Sequence, residues 1–213
     1  KKVGEFGDVS IFSLRSEKML GVGEGAMICT NNKKLYEKIQ LLCSRNMPFR
    51  SAKDSYWKKY ISMGEGYNYL MPHLLSAMLR GQVERQKQIF KEKIRVGKIY
   101  RKVFKDQFIF SQIPPKNFHS VHWLNSLILE DLTINEVKKV GEKLIQKGIE
   151  VRSGFWPLIN TQNVKKVYVG NEKISVKSYN KILVLPSNYL LKKKDILFIK
   201  NELIKIIKNL KAN

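Results

Sequence analysis

Apolar residues along this chain recur with two different spacings, which predict an alternation of strands and helices. Short apolar runs bounded by turn residues are typical of strands, and apolar positions repeated every three or four residues are typical of amphipathic helices. The predicted strands span residues 9–14, 26–30, 108–110, 121–129 and 182–185. The predicted helices span residues 35–46, 74–104 with a break at Gly81, 134–147 and 193–210. This order of elements predicts an α/β fold.

Cap and turn residues mark where these elements meet. Asn31 or Asn32 precedes the first helix, where an asparagine side chain can accept hydrogen bonds from the N–H groups of the first turn. Residues 47–65 have no regular apolar spacing and contain Pro48. They are predicted to form a long loop, and long loops in compact domains are often functional.

The composition is typical of a folded protein in water. With 213 residues and 43% hydrophobic side chains, the chain can bury a core. No apolar run approaches the roughly 20 residues that cross a bilayer. Cys29 and Cys43 have neither the paired spacing of a zinc site nor the density of a disulfide scaffold. We therefore expect a cytoplasmic protein with reduced thiols, no membrane partner and no bound metal.

The net charge of +22 is the one global feature that favours another class of protein, because a basic surface attracts nucleic acid. The excess is mostly lysine spread along the chain, without a recognition helix or an aromatic stacking platform. Lysines on the outer faces of helices account for this charge. We expect no nucleic-acid partner.

The richest chemistry lies in residues 7–26, GDVSIFSLRSEKMLGVGEGA. Ser13 ends a strand that we predict to be buried, and Lys18 follows five residues later, just before a glycine-rich turn. A lysine that is shielded from water can attack a carbonyl carbon and form a Schiff base. By pattern alone, however, Lys18 is also compatible with an ordinary surface lysine.

Phe12, Ser13, Lys18 and residues 23–25 have the spacing of a cofactor-lysine region, and this segment resembles that of the DegT/StrS family of sugar aminotransferases. The resemblance implies the fold-type-I pyridoxal-phosphate aminotransferase architecture, in which a large, mostly parallel sheet domain precedes a small C-terminal α/β domain. It also implies a homodimer with active sites shared between subunits. Ala26 replaces a second glycine that the family usually has, which is a mild departure.

The resemblance implies an enzyme that transfers an amino group with pyridoxal phosphate as its cofactor. Lys18 would hold the cofactor and would also move a proton during the transfer. Ser13 would donate a hydrogen bond to the cofactor phosphate, for which a hydroxyl at a strand end is suited. The expected amino donor is glutamate.

Residues 66–71, GYNYLM, resemble the family segment in which an asparagine reaches the cofactor phosphate of the partner subunit. The resemblance therefore assigns cofactor binding to Asn68 and substrate binding to Tyr67. A structural role for Asn68 in a turn is the alternative. Leu70 stands where the family usually has an arginine, which removes a candidate for binding a substrate carboxylate.

The match continues into the second half of the chain. Residues 148–152 and 155–157 resemble the entry to the C-terminal wall of the active site, which implies substrate contacts by Arg152 and Trp156. We expect residues 1–104 to form the later part of the large cofactor-binding domain, including the long connecting helix. Residues 105–213 are expected to form the small domain.

The family's remaining cofactor motifs lie upstream of the region that this chain matches. Three interpretations stay open: a piece of a longer enzyme, an enzyme split into two chains, or a non-catalytic relative that acts as a partner subunit. The first is favoured, since the chain begins in mid-domain without a methionine. Activity of this chain by itself is therefore an open question.

Tyr56 and Trp57, ahead of residues 66–69, resemble the perosamine branch of the family. This resemblance implies a nucleotide-linked 4-keto-6-deoxy sugar as the substrate. Amino transfer would convert it to the 4-amino sugar for a surface polysaccharide such as an O-antigen.

Overall fold

The chain divides into two compact units, residues 1–86 and residues 87–213. The computed structural model describes residues 2–48, 56–105, 107–110, 112–161 and 173–212. Part of the predicted long loop, residues 49–55, lies outside these described residues. Within the same loop, Tyr56–Lys58 forms a short 3-10 helix.

The first unit contains a β-hairpin and two helices. Its regular elements are β1 (Ser10–Ser13), β2 (Ala26–Cys29), α1 (Lys33–Cys43) and α2 (His73–Glu84). β1 and β2 pair antiparallel, because they are joined directly and not by the long crossover that parallel strands need. Asn32 caps α1 as predicted, and its side chain accepts from the N–H groups of Lys34 at 3.0 Å and Leu35 at 3.2 Å.

The prediction that β1 is a buried strand is wrong. Ile11 and Phe12 are 69% and 50% exposed, and all four residues of β2 are exposed. The two strands form a sheet by themselves, and the short 3-10 helix Val3–Glu5 contacts β1 but leaves most side chains of the sheet exposed. Among the described residues of the first unit, the buried side chains are Leu14 and Val22.

The predicted connecting helix is divided into two helices, and the break lies at Arg85 and not at Gly81. α3 (Gln86–Phe104) begins directly after the break. The N–H of Arg85 donates to the carbonyl oxygens of Gln82 and Val83, which lie fewer than four residues back, and such short-range bonds are typical of a helix C-terminus. Gly81 stays helical, since a glycine inside a helix costs only about 1 kcal/mol relative to alanine.

The second unit begins within α3 and is built around a four-stranded antiparallel sheet with the order β3–β4–β6–β5. Its further elements are β3 (Ile109–Phe110), β4 (Asn125–Ile128), α4 (Ile134–Gln146), β5 (Arg152–Ser153), α5 (Lys173–Ser178), β6 (Ile182–Leu185) and α6 (Lys193–Lys211). The sequence did not predict β5 or α5. A capping box starts α4, in which Thr133 and Glu136 bond each other's backbone N–H groups.

The core of the second unit lies where α3, α4 and α6 meet the sheet. Its fully buried side chains come from all of these elements: Val96, Tyr100, Phe104, Leu127, Val140, Leu144, Ile196 and Leu203. The buried positions of α3, α4 and α6 repeat with helical spacing and match the apolar periodicity of the sequence. The apolar residues of α1 and α2 are not buried. No helix within the described residues is long and apolar enough to cross a bilayer.

Candidate functional site

The candidate site begins at the loop that joins β1 to β2, residues 14–25, which we call the Lys18 loop. Backbone hydrogen bonds extend the hairpin into this loop, from Leu14 N to Gly25 O at 2.9 Å and from Ser16 N to Gly23 O at 3.1 Å. The N–H of Lys18 donates to Arg15 O at 2.9 Å, which closes a turn. Lys18 is thereby held at the tip of a hairpin, with a half-buried side chain.

Glycine is needed in this loop because the backbone folds tightly on itself. A Cβ at Gly21 would lie 2.5 Å from the carbonyl oxygen of Arg15 and 2.7 Å from that of Ser16, closer than any real contact. Gly23 and Gly25 have φ angles of +101° and +122°, which side chains with a Cβ rarely adopt. The glycine-rich pattern that follows Lys18 therefore has a direct structural cause.

The charged neighbours of Lys18 are carboxylates and a guanidinium on the same loop. Arg15 lies 3.7 Å from the carboxylate of Glu17, in an exposed pair. A hydrogen bond from its own backbone lowers the pKa of Glu17, and the positive charges of Arg15 and Lys18 lower it further. Glu17 is therefore ionised beside Lys18 at neutral pH.

Ser13 is the last residue of β1, opposite Ala26 in the register of the hairpin. Its side chain is exposed, and the Lys18 loop begins with the next residue. The hairpin thus presents a hydroxyl and an amine close together in sequence and on one supersecondary element. This is the arrangement that the sequence predicted, on an open strand in place of a buried one.

Asn68 lies on an extended segment that pairs with the end of α1. Tyr67 N donates to Leu42 O at 2.6 Å, Tyr69 N donates to Cys43 O at 2.9 Å, and Ser44 and Asn68 form an isolated antiparallel bridge. These backbone bonds fix the position of Asn68, whose side chain is exposed.

The rings of Tyr67 and Tyr69 stack, with centroids 5.0 Å apart and an angle of 4° between their planes. Successive side chains of an extended segment point to opposite faces, so Asn68 faces away from this stacked pair. The bond pattern places Asn68 and Tyr67 on opposite sides of the same segment.

The two remaining predicted residues, Arg152 and Trp156, belong to the second unit. Arg152 lies on the edge strand β5 and makes an exposed pair with Glu150 at 3.0 Å. Trp156 packs edge-to-face on Tyr179, with centroids 5.2 Å apart. Both side chains are exposed and can contact a ligand. Because exposed ion pairs contribute little stability, the pair with Glu150 holds the Arg152 side chain only weakly.

A family profile described as the DegT/DnrJ/EryC1/StrS aminotransferase family matches residues 1–203. The chain belongs to this family. The resemblance read from the residues around Lys18 is therefore confirmed.

Two curated relatives illustrate the range of the family. The chain is 30% identical to GDP-perosamine synthase of Escherichia coli O157:H7 over 158 residues, which are 74% of this chain and 41% of that protein. It is 28% identical to UDP-4-amino-4,6-dideoxy-N-acetyl-beta-L-altrosamine transaminase of Campylobacter jejuni serotype O:23/36 over 214 residues, which are 99% of this chain and 55% of that protein. The chain thus spans about half the length of these curated relatives.

Solved structures confirm the fold class. Helicobacter pylori PseC, an aminotransferase involved in the biosynthesis of pseudoaminic acid, matches with a TM-score of 0.84 at 23% identity, over 98% of this chain and 56% of that one. Escherichia coli GDP-4-keto-6-deoxy-D-mannose-3-dehydratase with bound hydrated PLP matches with a TM-score of 0.77 at 21% identity, over 95% of this chain and 56% of that one. This DegT-family chain therefore has the predicted fold-type-I architecture over its length.

Sequence reasoning missed a polar residue that contacts the Lys18 loop. Gln82 of α2 accepts a hydrogen bond from Gly21 N at 3.1 Å and donates one to Gly21 O at 2.5 Å. The pattern gave no signal for this contact, since a glutamine in a surface helix is ordinarily solvated.

A second missed feature is a buried polar cluster in the second unit. Lys93, 7% exposed, donates to the carbonyl oxygen of Trp123 at 2.9 Å and to that of Ser187. Burial lowers the pKa of Lys93 to about 8. The sequence contained a signal for the burial of Lys93, because Lys93 follows the buried Ile89 by four residues on the apolar face of α3.

Tyr100 belongs to the same polar cluster. Its hydroxyl donates a hydrogen bond to Pro186 O at 2.7 Å. Burial raises the pKa of Tyr100, and the nearby charge of Asp195 raises it further.

Proposed function

We propose that this chain carries the cofactor lysine of a pyridoxal-phosphate-dependent sugar aminotransferase. The proposed reaction converts a nucleotide-linked 4-keto-6-deoxy sugar to its 4-amino sugar, with glutamate as the donor, for a cell-surface polysaccharide. The observation that carries the proposal is the Lys18 loop, in which a half-buried amine lies on the same hairpin as the Ser13 hydroxyl in a chain of this family.

The chemistry of the available groups fits pyridoxal phosphate. The amine of Lys18 matches the aldehyde of the cofactor, and the Ser13 hydroxyl and the Asn68 amide match the donors that phosphate oxygens require. When bound, pyridoxal phosphate supplies an electron sink for the carbon that exchanges its amino group. In the proposed site Lys18 holds the cofactor and then carries a proton to and from the reacting carbon.

The proposed substrate class is supported by the likeness to a GDP-perosamine synthase over 158 residues. Tyr67 and Trp156 offer exposed aromatic faces for a sugar ring, and Arg152 offers a cation for an anionic group. The net charge of +22 is compatible with a diphosphate-linked substrate.

The proposed assembly is a cytoplasmic homodimer whose subunits share their active sites. Large exposed apolar areas on a folded protein mark interaction surfaces. The first unit exposes such side chains on its hairpin and around Asn68: Ile11, Phe12, Trp57, Tyr60, Tyr67, Tyr69 and Leu70.

The test is an absorbance spectrum of the purified protein titrated with pyridoxal phosphate, recorded beside Lys18→Ala and the control Lys33→Ala. Lys33 is an exposed lysine at the start of α1, so its loss controls for nonspecific reaction of the cofactor with surface amines. A visible band from lysine-bound cofactor is expected in the wild type and in Lys33→Ala but not in Lys18→Ala. Equal bands in all three proteins would contradict the proposal, whereas no band in a folded wild type would mean that this chain does not hold the cofactor by itself.

The substrate is tested next by assaying amino transfer from glutamate to GDP-linked and UDP-linked 4-keto-6-deoxy sugars. Formation of the amino sugar from the GDP-linked compound is the expected result. Turnover of neither compound by a protein with a Lys18-dependent band would contradict the substrate and leave the cofactor assignment intact.

A further inference from the structure

We infer that Gln82 is a positioning residue for Lys18. The inference rests on the proposed function and adds to it a group that does not touch the cofactor. Gln82 lies near the end of α2 and is separated by 61 residues from the glycine that it bonds. Its side chain is half-buried, which partly shields these bonds from water.

The geometry of the contact is that of a two-point clamp. One end of the Gln82 amide accepts from Gly21 N at 3.1 Å, and the other end donates to Gly21 O at 2.5 Å. Both backbone groups of a single residue are thus bonded by a single side chain. Only an amide side chain offers an acceptor and a donor side by side in this way, so few replacements can reproduce the contact.

The clamp fixes the part of the loop that controls where Lys18 lies. Gly21 packs directly against the backbone of Arg15 and Ser16, which stand on the other side of Lys18 in sequence. Holding Gly21 therefore holds both ends of the short turn that carries Lys18. Leu14 and Val22, the buried side chains of this unit's described residues, both lie in the loop, and the Gln82 contact adds to their burial in ordering it.

A second contact supports the same position of the loop. Gly25, at the other end of the glycine-rich stretch, approaches the side chain of Met71, and a Cβ there would lie 2.4 Å from the methyl carbon of Met71. Met71 lies shortly before α2, so the loop touches the α2 segment at two places. A loop held at two points keeps its reactive group oriented, which reduces the entropy lost when a ligand binds.

The experiment compares Gln82→Leu, Gln82→Glu and the control Arg80→Gln in the full chain. Leucine has a similar length but neither hydrogen-bonding group, whereas glutamate keeps the acceptor for Gly21 N and loses the donor for Gly21 O. Arg80 lies on the same helix, is exposed and pairs with Glu84, so its replacement controls for changes in α2 itself.

Two readouts do not depend on the cofactor. Hydrogen exchange in residues 14–25 is expected to rise about tenfold in Gln82→Leu, less in Gln82→Glu and not in Arg80→Gln. Trypsin cleavage after Arg15 and Lys18 should accelerate in the same order. Unchanged exchange and cleavage in Gln82→Leu would overturn the inference.

The third readout is the pyridoxal-phosphate concentration that gives half of the Lys18-dependent absorbance band. It should rise about tenfold in Gln82→Leu, with partial recovery in Gln82→Glu, because a loosened loop must be ordered on binding. A faster-exchanging loop with unchanged cofactor binding would overturn the positioning role. If the wild type shows no such band, this chain does not hold the cofactor by itself, and the exchange and cleavage results still decide whether Gln82 holds the Lys18 loop.

Discussion

The two units of this chain hold their shape by different means. Residues 87–213 enclose an apolar core that helices and sheet build together, with Tyr100, Phe104 and Leu203 fully buried. Among the described residues of the first unit, Leu14 and Val22 are the buried side chains, and most side chains of the hairpin strands are exposed. The candidate cofactor lysine lies in the unit that has the smaller core.

Because of this difference, we expect the two units to respond differently to substitution. A packed core stabilises the second unit by the removal of apolar surface from water. The Lys18 loop buries two side chains, Leu14 and Val22, and is otherwise shaped by backbone hydrogen bonds, glycines and the Gln82 amide. We therefore expect substitutions in the Lys18 loop to lower the rate of amino transfer, and substitutions in the core of the second unit to lower the free energy of unfolding.

The largest effect is expected at the proposed site residues of the first unit. Lys18→Ala should lower amino transfer by about a thousandfold or more, and Asn68→Ala by about a hundredfold, since each removes a group that would hold the cofactor. Neither should shift the urea midpoint, because Lys18 is half-buried and Asn68 exposed, both outside any core. Turnover and urea unfolding of each variant test this. A large loss of stability in either variant would contradict the expected difference between the two units.

A mixing experiment sharpens that prediction for the shared site. When Lys18→Ala and Asn68→Ala subunits are unfolded and refolded together, about half of the dimers are hybrids with one intact site, so about a quarter of wild-type activity should return. Each variant refolded by itself is the control. No recovery in the mixture would mean that Asn68 does not act on the partner's site.

The next effect belongs to the core of the second unit. Leu203→Ala should lower the free energy of unfolding by about 2–5 kcal/mol, because Leu203 is fully buried and its loss leaves a cavity. Leu197→Ala on the same helix is the matched control, since Leu197 is 39% exposed, and it should cost less than about 1 kcal/mol. Urea titrations give both values, and similar costs for the two variants would contradict the assignment of the core.

A smaller effect concerns pH and the buried Lys93. Burial lowers its pKa to about 8 in the folded state, below the value of an unfolded lysine. Between pH 8 and 10 the unfolded state therefore binds more protons, and the free energy of unfolding should rise by up to about 1.4 kcal/mol per pH unit. Tyr100 acts in the opposite direction as pH approaches 10, because burial raises its folded-state pKa above that of an unfolded tyrosine, so the rise due to Lys93 is measured between pH 8 and 9.

The Lys93 prediction is checked by urea unfolding at several pH values. Lys93→Met should remove the rise with pH, and Lys98→Met, at an exposed position on the same helix, should leave it in place. The same slope in wild type and Lys93→Met would assign the pH dependence to another group.

The smallest effect is expected for Tyr100→Phe. The change removes the O–H that donates to Pro186 O at 2.7 Å and leaves a part-buried carbonyl without that partner, which should cost about 1–2 kcal/mol. Tyr36→Phe, at an exposed position in the first unit, should be neutral within about 0.5 kcal/mol. Thermal or urea unfolding measures both, and a neutral Tyr100→Phe would show that this bond adds nothing to the core.

The elements were predictable where local rules govern them. β6 has the predicted bounds, α4 and α6 match within one residue, and Asn32 caps α1, because apolar spacing and capping depend on neighbouring residues. Two-residue β5 was not predictable, since it is defined only by its pairing with β6. The exposure of β1 was also not predictable, because an apolar strand looks the same in sequence whether or not another element covers it.

The family, the fold class and the identity of the candidate lysine were predictable from local patterns, because the spacing of Ser13, Lys18 and the glycines reflects local backbone geometry. The contacts between distant groups became visible only in the folded chain: Gln82 with Gly21, Lys93 with the carbonyls of Trp123 and Ser187, and Tyr100 with Pro186. These contacts join residues 30 to 94 positions apart. Local propensity carries no information on such pairs, which form only when the packing of helices and strands brings the polar groups within hydrogen-bonding distance.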